Sequence, residues 1–158
     1  MVIAIDFDGT CVTHDFPLIG NDIGAVPILK DLVAEGHQLI LWTMRSDGQE
    51  EQMLDNGYKI HSGDFLTQAV KWFEQNEIPL YAVQRNPQQD SWTTSNKCWA
   101  HLYIDDAALG CPLVTPDMYK NKKLPPASDR PFVDWAAVRL MLIDKGILSR
   151  PAIKLRYK

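Results

Sequence analysis

Short apolar runs alternate along this chain with stretches in which apolar residues recur every three or four positions. VIAI at 2–5 is a continuous, largely β-branched run stopped by acids, the pattern of a buried strand. Residues 11–24 hold Pro17, Gly20 and Gly24 and read as a loop or irregular hairpin. Over 26–35 the positions of Ile28, Leu29, Leu32 and Val33 fall on one helical face, and Gly36 suits the left-handed residue that ends a helix. QLILW at 38–42 predicts a second buried strand, ending at Thr43.

The spacing predicts a short helix over 49–56, stopped by Gly57. A longer one is predicted from an Asp64 cap to about Asn76, with Leu66, Ala69, Val70 and Phe73 inward. LYAV at 80–83 and HLYI at 101–104 predict a third and a fourth strand around a polar stretch at 84–97, and CPLV at 111–114 a fifth. Residues 115–131 carry four prolines and read as a loop. A last helix is expected over 132–145, stopped by Gly146, with a less ordered tail at 151–158. Strands alternating with helices predict an α/β fold: a mostly parallel sheet of about five strands with helices on both faces, in one domain over 1–150. Ligands of such sheets bind beyond the carboxyl ends of the strands. Asp6, Asp8, Thr43, Asp105 and Asp106 all fall there.

Asp6 and Asp8 are two positions apart, and adjacent carboxylates repel unless their charge is offset. A divalent cation shared with Asp105 and Asp106 would do so, and hard oxygen ligands favour Mg²⁺ over zinc. Gly9 permits a tight bend after the strand, and Thr10 adds a hydroxyl and a backbone N–H. Arg45, two residues past Thr43, is placed to touch a phosphate or substrate. Trp92, an aromatic in a polar loop near the strand ends, could stack on a base or sugar; Trp42, Trp72 and Trp135 read as core.

DFDGT at 6–10 resembles the first motif, DxDxT, of the haloacid-dehalogenase-like (HAD) superfamily. LILWT at 39–43 resembles its second motif, Lys97 its basic third, and YIDD at 103–106 its acidic fourth, in the family's order. The resemblance implies a three-layer Rossmann-like fold and a Mg²⁺-dependent phosphatase. Asp6 would be the nucleophile that forms an aspartyl-phosphate, and Asp8 the general acid and base. Gly9, Thr10, Thr43, Arg45 and Lys97 would bind the phosphoryl group. Asp6, the Asp8 main-chain carbonyl, Asp105 and, more distantly, Asp106 would hold the metal. Lys71 and Arg85 are alternatives to Lys97. Asp8 points to phosphate chemistry, because the family's dehalogenases lack an acid there.

Thirty-two residues separate Thr10 from Thr43, and 53 separate Thr43 from Lys97, too few at either place for a sizeable cap domain. The resemblance is therefore to capless members, which act on macromolecules or use a neighbouring subunit as a lid, so a homo-oligomer covering the site is an expectation.

Composition narrows the field further. The chain has 158 residues, 46% hydrophobic and 23% charged, with net charge −4. That balance lacks the basic face of a nucleic-acid binder, although Lys120, Lys122 and Lys123, and Lys154, Arg156 and Lys158, form local basic groups read as solvated surface. No apolar run spans a membrane, the start is not a signal peptide, and Cys11, Cys98 and Cys111 form no metal or disulfide pattern, so the cytoplasm is expected. No cysteine has an Arg six residues on, and neither GxxxxGK[ST] nor GxSxG occurs. The four histidines lack metal-ligand spacing and read as surface or strand-end residues. The resemblance implies a phosphorylated substrate, either a polynucleotide or nucleotide end or a sugar phosphate. The alternative is a non-catalytic Mg²⁺-binding or regulatory domain on the same fold.

Overall fold

A computed structural model describes residues 1–48, 52–53, 59–60, 62–115 and 130–150. Strand β1 (Val2–Ile5) leads into helix α1 (Ala25–Ala34) and strand β2 (Gln38–Leu41). Four two-residue strands follow: β3 (Asp47–Gly48), β4 (Gln52–Met53), β5 (Lys59–Ile60) and β6 (Gly63–Asp64). Then come helix α2 (Phe65–Gln75), strand β7 (Ala82–Val83), a 3₁₀ turn (Pro87–Ser91) and strand β8 (Leu102–Ile104). Strand β9 (Leu113–Val114), strand β10 (Phe132–Val133) and helix α3 (Trp135–Asp144) complete the order.

The main sheet is parallel, in the order β7-β2-β1-β8, with Ile5 opposite both Leu41 and Ile104. It has four strands among the described residues, one fewer than expected. The run at 111–114 instead supplies β9, which pairs antiparallel with β10 in a separate ladder. Leu113 and Val114 stay exposed, so this apolar run does not mark a buried strand.

Alternation along the strands sends Ile3, Ile5, Leu39 and Leu41 to one face and Val2, Ala4 and Ile40 to the other. The first face carries the main core, where these residues meet Leu29 and Leu32 of α1, Ala69 and Phe73 of α2, and Val138 and Leu142 of α3. The second face carries a smaller cluster, in which Val2 and Ile40 meet Cys98 with Trp42, Tyr81, Ala82 and Ala100 alongside. All three described helices thus contribute to one core. The expectation of helices on both faces is not met among the described residues. The polar 84–97 stretch, rich in residues that bond their own backbone, forms only the short 3₁₀ turn there.

Local departures have local causes. The helix predicted over 49–56 is replaced at Gln52–Met53 by a strand paired with Lys59–Ile60; the rest of that span lies outside the described residues. Eight residues are too few to hold a helix without a packed face. Helix α2 begins after Asp64 as expected, but Asp64 makes no side-chain cap bond. Asp47 caps it from β3, accepting from Thr67 N at 3.0 Å and Thr67 Oγ1 at 2.6 Å, and these bonds hold the Asp47 carboxyl below its usual range. Helix α3 starts at Trp135 rather than Phe132, because Asp134 accepts from Ala137 N at 3.0 Å and fixes the cap there. Val12 bridges Asp22, in keeping with the irregular hairpin. The tail at 151–158 and the lysines at 120–123 lie outside the described residues. No helix among those described is long and apolar enough to cross a membrane.

Candidate functional site

Asp6 follows β1 and Asp105 follows β8, and the ladder carries on past the strands through Asp6 N donating to Ile104 O at 3.0 Å. Parallel neighbours therefore deliver both acids to the same sheet edge. Asp6, Asp105 and Asp106 each place an oxygen within 4.8 Å of the other two. Thr10 ties them together: its hydroxyl lies 3.2 Å from Asp6 Oδ2 and 3.5 Å from Asp106 Oδ1, and it accepts from Asp106 N at 3.0 Å.

Burial pushes the Asp6 carboxyl up to about 7, and the negative charges of Asp105 and Asp106 add to the rise. The Phe7 backbone N–H and the Thr10 hydroxyl pull the other way without restoring the ordinary value. Among the described residues no Lys or Arg forms an ion pair with Asp6, Asp105 or Asp106. Three carboxylate oxygen donors fit a hard divalent cation, and the chemistry of the donor set does not suit a soft metal.

Asp8 and Arg45 form a bidentate pair, Nε to Oδ2 and Nη2 to Oδ1, both 2.7 Å. Arg45 is only 2% exposed. It also donates to Leu18 O at 2.6 Å and Pro17 O at 3.4 Å, and its guanidinium lies over the rings of Phe7 and Phe16. The residue expected to meet phosphate is therefore engaged with Asp8 and the 15–19 loop. Thr43 is held by Gln84, whose side chain accepts from Thr43 N at 3.1 Å and donates to Thr43 O at 2.6 Å.

The three candidate cations differ in placement. The Lys97 ammonium sits over the Tyr103 ring, 5.8 Å from its centroid, and has no carboxylate partner among the described residues. Lys71 is exposed on α2. Arg85 is paired with Asp90 and donates to Ser95 O.

No protein-family profile matches the chain, and no curated protein does. A solved structure of a conserved protein from Bacteroides thetaiotaomicron is similar to it, with 35% sequence identity and a TM-score of 0.56, over 78% of this chain and 92% of the other. The chain belongs to the family of that conserved protein. Membership carries kinship and fold, so the chemistry of this family member has to be argued from its own residues.

Three of those residues escaped the sequence reading. His14, expected at the surface or a strand end, is 8% exposed and places Nε2 3.1 Å from Asp106 Oδ2. Gly9, at φ +81°, leaves room for that contact: a Cβ there would stand 2.2 Å from His14 Nε2 and 2.8 Å from Asp106 Cγ. Trp135 donates from Nε1 to Thr10 O at 2.6 Å, anchoring the DFDGT turn to α3. Gln84 is the third, as the clamp on Thr43. None shows a sequence signal, because each acts through one long-range bond rather than through a periodic pattern.

Proposed function

We propose that the chain is a Mg²⁺-dependent phosphomonoester hydrolase of haloacid-dehalogenase-like type, working through an aspartyl-phosphate on Asp6. One observation carries the reading: oxygens of Asp6, Asp105 and Asp106 gather within 4.8 Å at the ends of neighbouring parallel strands, and no Lys or Arg is ion-paired to Asp6 or Asp105 among the described residues. Asp6, Asp105, the Asp8 carbonyl and, less directly, Asp106 would hold the ion. When bound, it supplies the positive charge that a carboxylate needs to approach a phosphate dianion.

An Asp6 oxygen attacks phosphorus, the ester P–O bond breaks, and Asp8 gives its proton to the leaving oxygen. Asp8 then takes a proton from water as that water attacks phosphorus, and the Asp6–phosphorus bond breaks to release inorganic phosphate. Arg45 occupies both Asp8 oxygens, so at least one of these bonds opens before Asp8 handles a proton. Thr43 supplies a hydroxyl beside the transferred group; Lys97, the cation proposed there, stands over the Tyr103 ring and has to swing from it to reach the phosphoryl group. A neighbouring copy closing the open side belongs to the same proposal, as does a cytoplasmic location.

The second reading, a Mg²⁺-binding domain without turnover, draws on that same Arg45–Asp8 pair, which leaves Asp8 no unengaged oxygen in this state. A phosphoester panel assayed in Mg²⁺ and in EDTA separates them. Hydrolysis that needs Mg²⁺ supports the enzyme, whereas Mg²⁺ binding with no ester hydrolysed supports the binding domain.

A further inference from the structure

The face of the sheet opposite the helices carries a cleft of about 300 Å³ lined by Trp92, Lys97, Trp99 and Tyr103. Its aromatic rings are not core: Trp92 is 63% exposed, Trp99 38% and Tyr103 36%. Tyr103 is steadied from behind by its hydroxyl, which donates to Cys98 O. Large rings left facing solvent together, rather than scattered singly, mark a binding surface. The cleft is not uniformly apolar, since the Lys97 ammonium lies over the Tyr103 ring. Stacking surfaces beside a cation suit a planar ring attached to an anion.

One wall of the cleft, Tyr103, stands two residues before Asp105 on the chain. Tyr103 pairs with Ala4 in register, and the ladder carries on to Asp6 and Asp105. Alternation puts residues 103 and 105 on the same face, about 7 Å apart along the strand. An ester whose phosphoryl group sits at Asp6 would extend its leaving group along this face toward Tyr103.

We infer that the phosphomonoester taken by this site carries a planar aromatic group of the nucleobase kind, received in the cleft of Trp92, Trp99 and Tyr103. This rests on the phosphatase reading of Asp6. The sugar-phosphate class then falls to the weaker ligands, because a sugar ring offers no aromatic face to stack.

The test is a titration of the full-length Asp6→Asn chain in Mg²⁺, followed by tryptophan fluorescence and calorimetry. The probes are adenosine 5′-monophosphate, ribose 5-phosphate and inorganic phosphate. The nucleotide should bind about tenfold or more tightly than ribose 5-phosphate, the scale of one base–aromatic stack. Trp92→Ala should bring the two ligands close to equality, and Trp92→Phe, which keeps a ring, should retain most of the preference. Equal binding of nucleotide and ribose 5-phosphate overturns the inference, as does a preference unchanged in both Trp92→Ala and Trp99→Ala. The wild-type chain separates the two levels of the argument. Equal kcat/KM on the two esters overturns the cleft and leaves the phosphatase standing. Trp92-dependent nucleotide binding with no ester hydrolysed supports the cleft and overturns the phosphatase.

Discussion

His14 fixes one oxygen of Asp106 and leaves the other turned toward Asp6 and Thr10. A carboxylate held in this way is oriented before a cation arrives, and loss of such a supporting partner costs about 10- to 100-fold in metal affinity. His14→Ala should therefore raise the Mg²⁺ concentration for half-maximal thermal stabilisation by that factor, and His14→Gln should recover part of it. An unchanged midpoint would make His14 a packing residue only. Asp6 yields a second expectation. Its carboxyl stands at about 7 in the fold against 3.8 in a free chain, so between those values the folded state holds the extra proton. Stability from this group is complete below pH 3.8 and is lost as pH rises through 7. In EDTA, the wild type should lose Tm across that window relative to Asp6→Asn, and Mg²⁺ should recover the loss above pH 7. Parallel Tm–pH curves for the two chains would contradict this.

At the scale of elements, Arg45 joins the end of β2 to the 15–19 loop and to Asp8 after β1. Truncating one partner of a buried pair leaves the other charge uncompensated, at a cost of about 3–5 kcal/mol. Because the Asp8 side chain is partly open, Arg45→Met should fall toward the lower end, about 3 kcal/mol by denaturant unfolding. A loss under about 1 kcal/mol would place the pair among ordinary surface bridges. Asp134 offers a cleaner case. Asp134→Ala removes the cap bond to Ala137 N and should cost about 1 kcal/mol while leaving the Mg²⁺ midpoint in place. Elements with a periodic signature were legible in the chain: the Ile28, Leu29 and Leu32 stripe of α1, the Ala69 and Phe73 face of α2, and the buried runs of β1 and β2. The 111–114 run and the Gln52–Met53 pair were not, because a short stretch takes its form from what it pairs with.

Over the whole molecule, the gathering of Asp6, Asp105 and Asp106 could be foreseen from the rule that polar residues after parallel strands share one edge. The partners of those acids could not. Arg45 lies 37 positions from Asp8 and His14 lies 92 from Asp106, separations no local pattern encodes. The coverage of the sheet was equally hidden: all three described helices meet one core, and among the described residues the second face meets Cys98, Trp42, Tyr81 and Ala100. The accessible aromatic cleft of Trp92, Trp99 and Tyr103 lies beside this second face. The phosphatase reading depends on Asp6 being the nucleophile that accepts the phosphoryl group. The most direct measurement compares wild type with Asp6→Asn for hydrolysis of p-nitrophenyl phosphate in Mg²⁺, with folding checked by Tm. The account predicts turnover by the wild type and none above background by a folded Asp6→Asn. Mg²⁺-dependent turnover that persists in Asp6→Asn would contradict it.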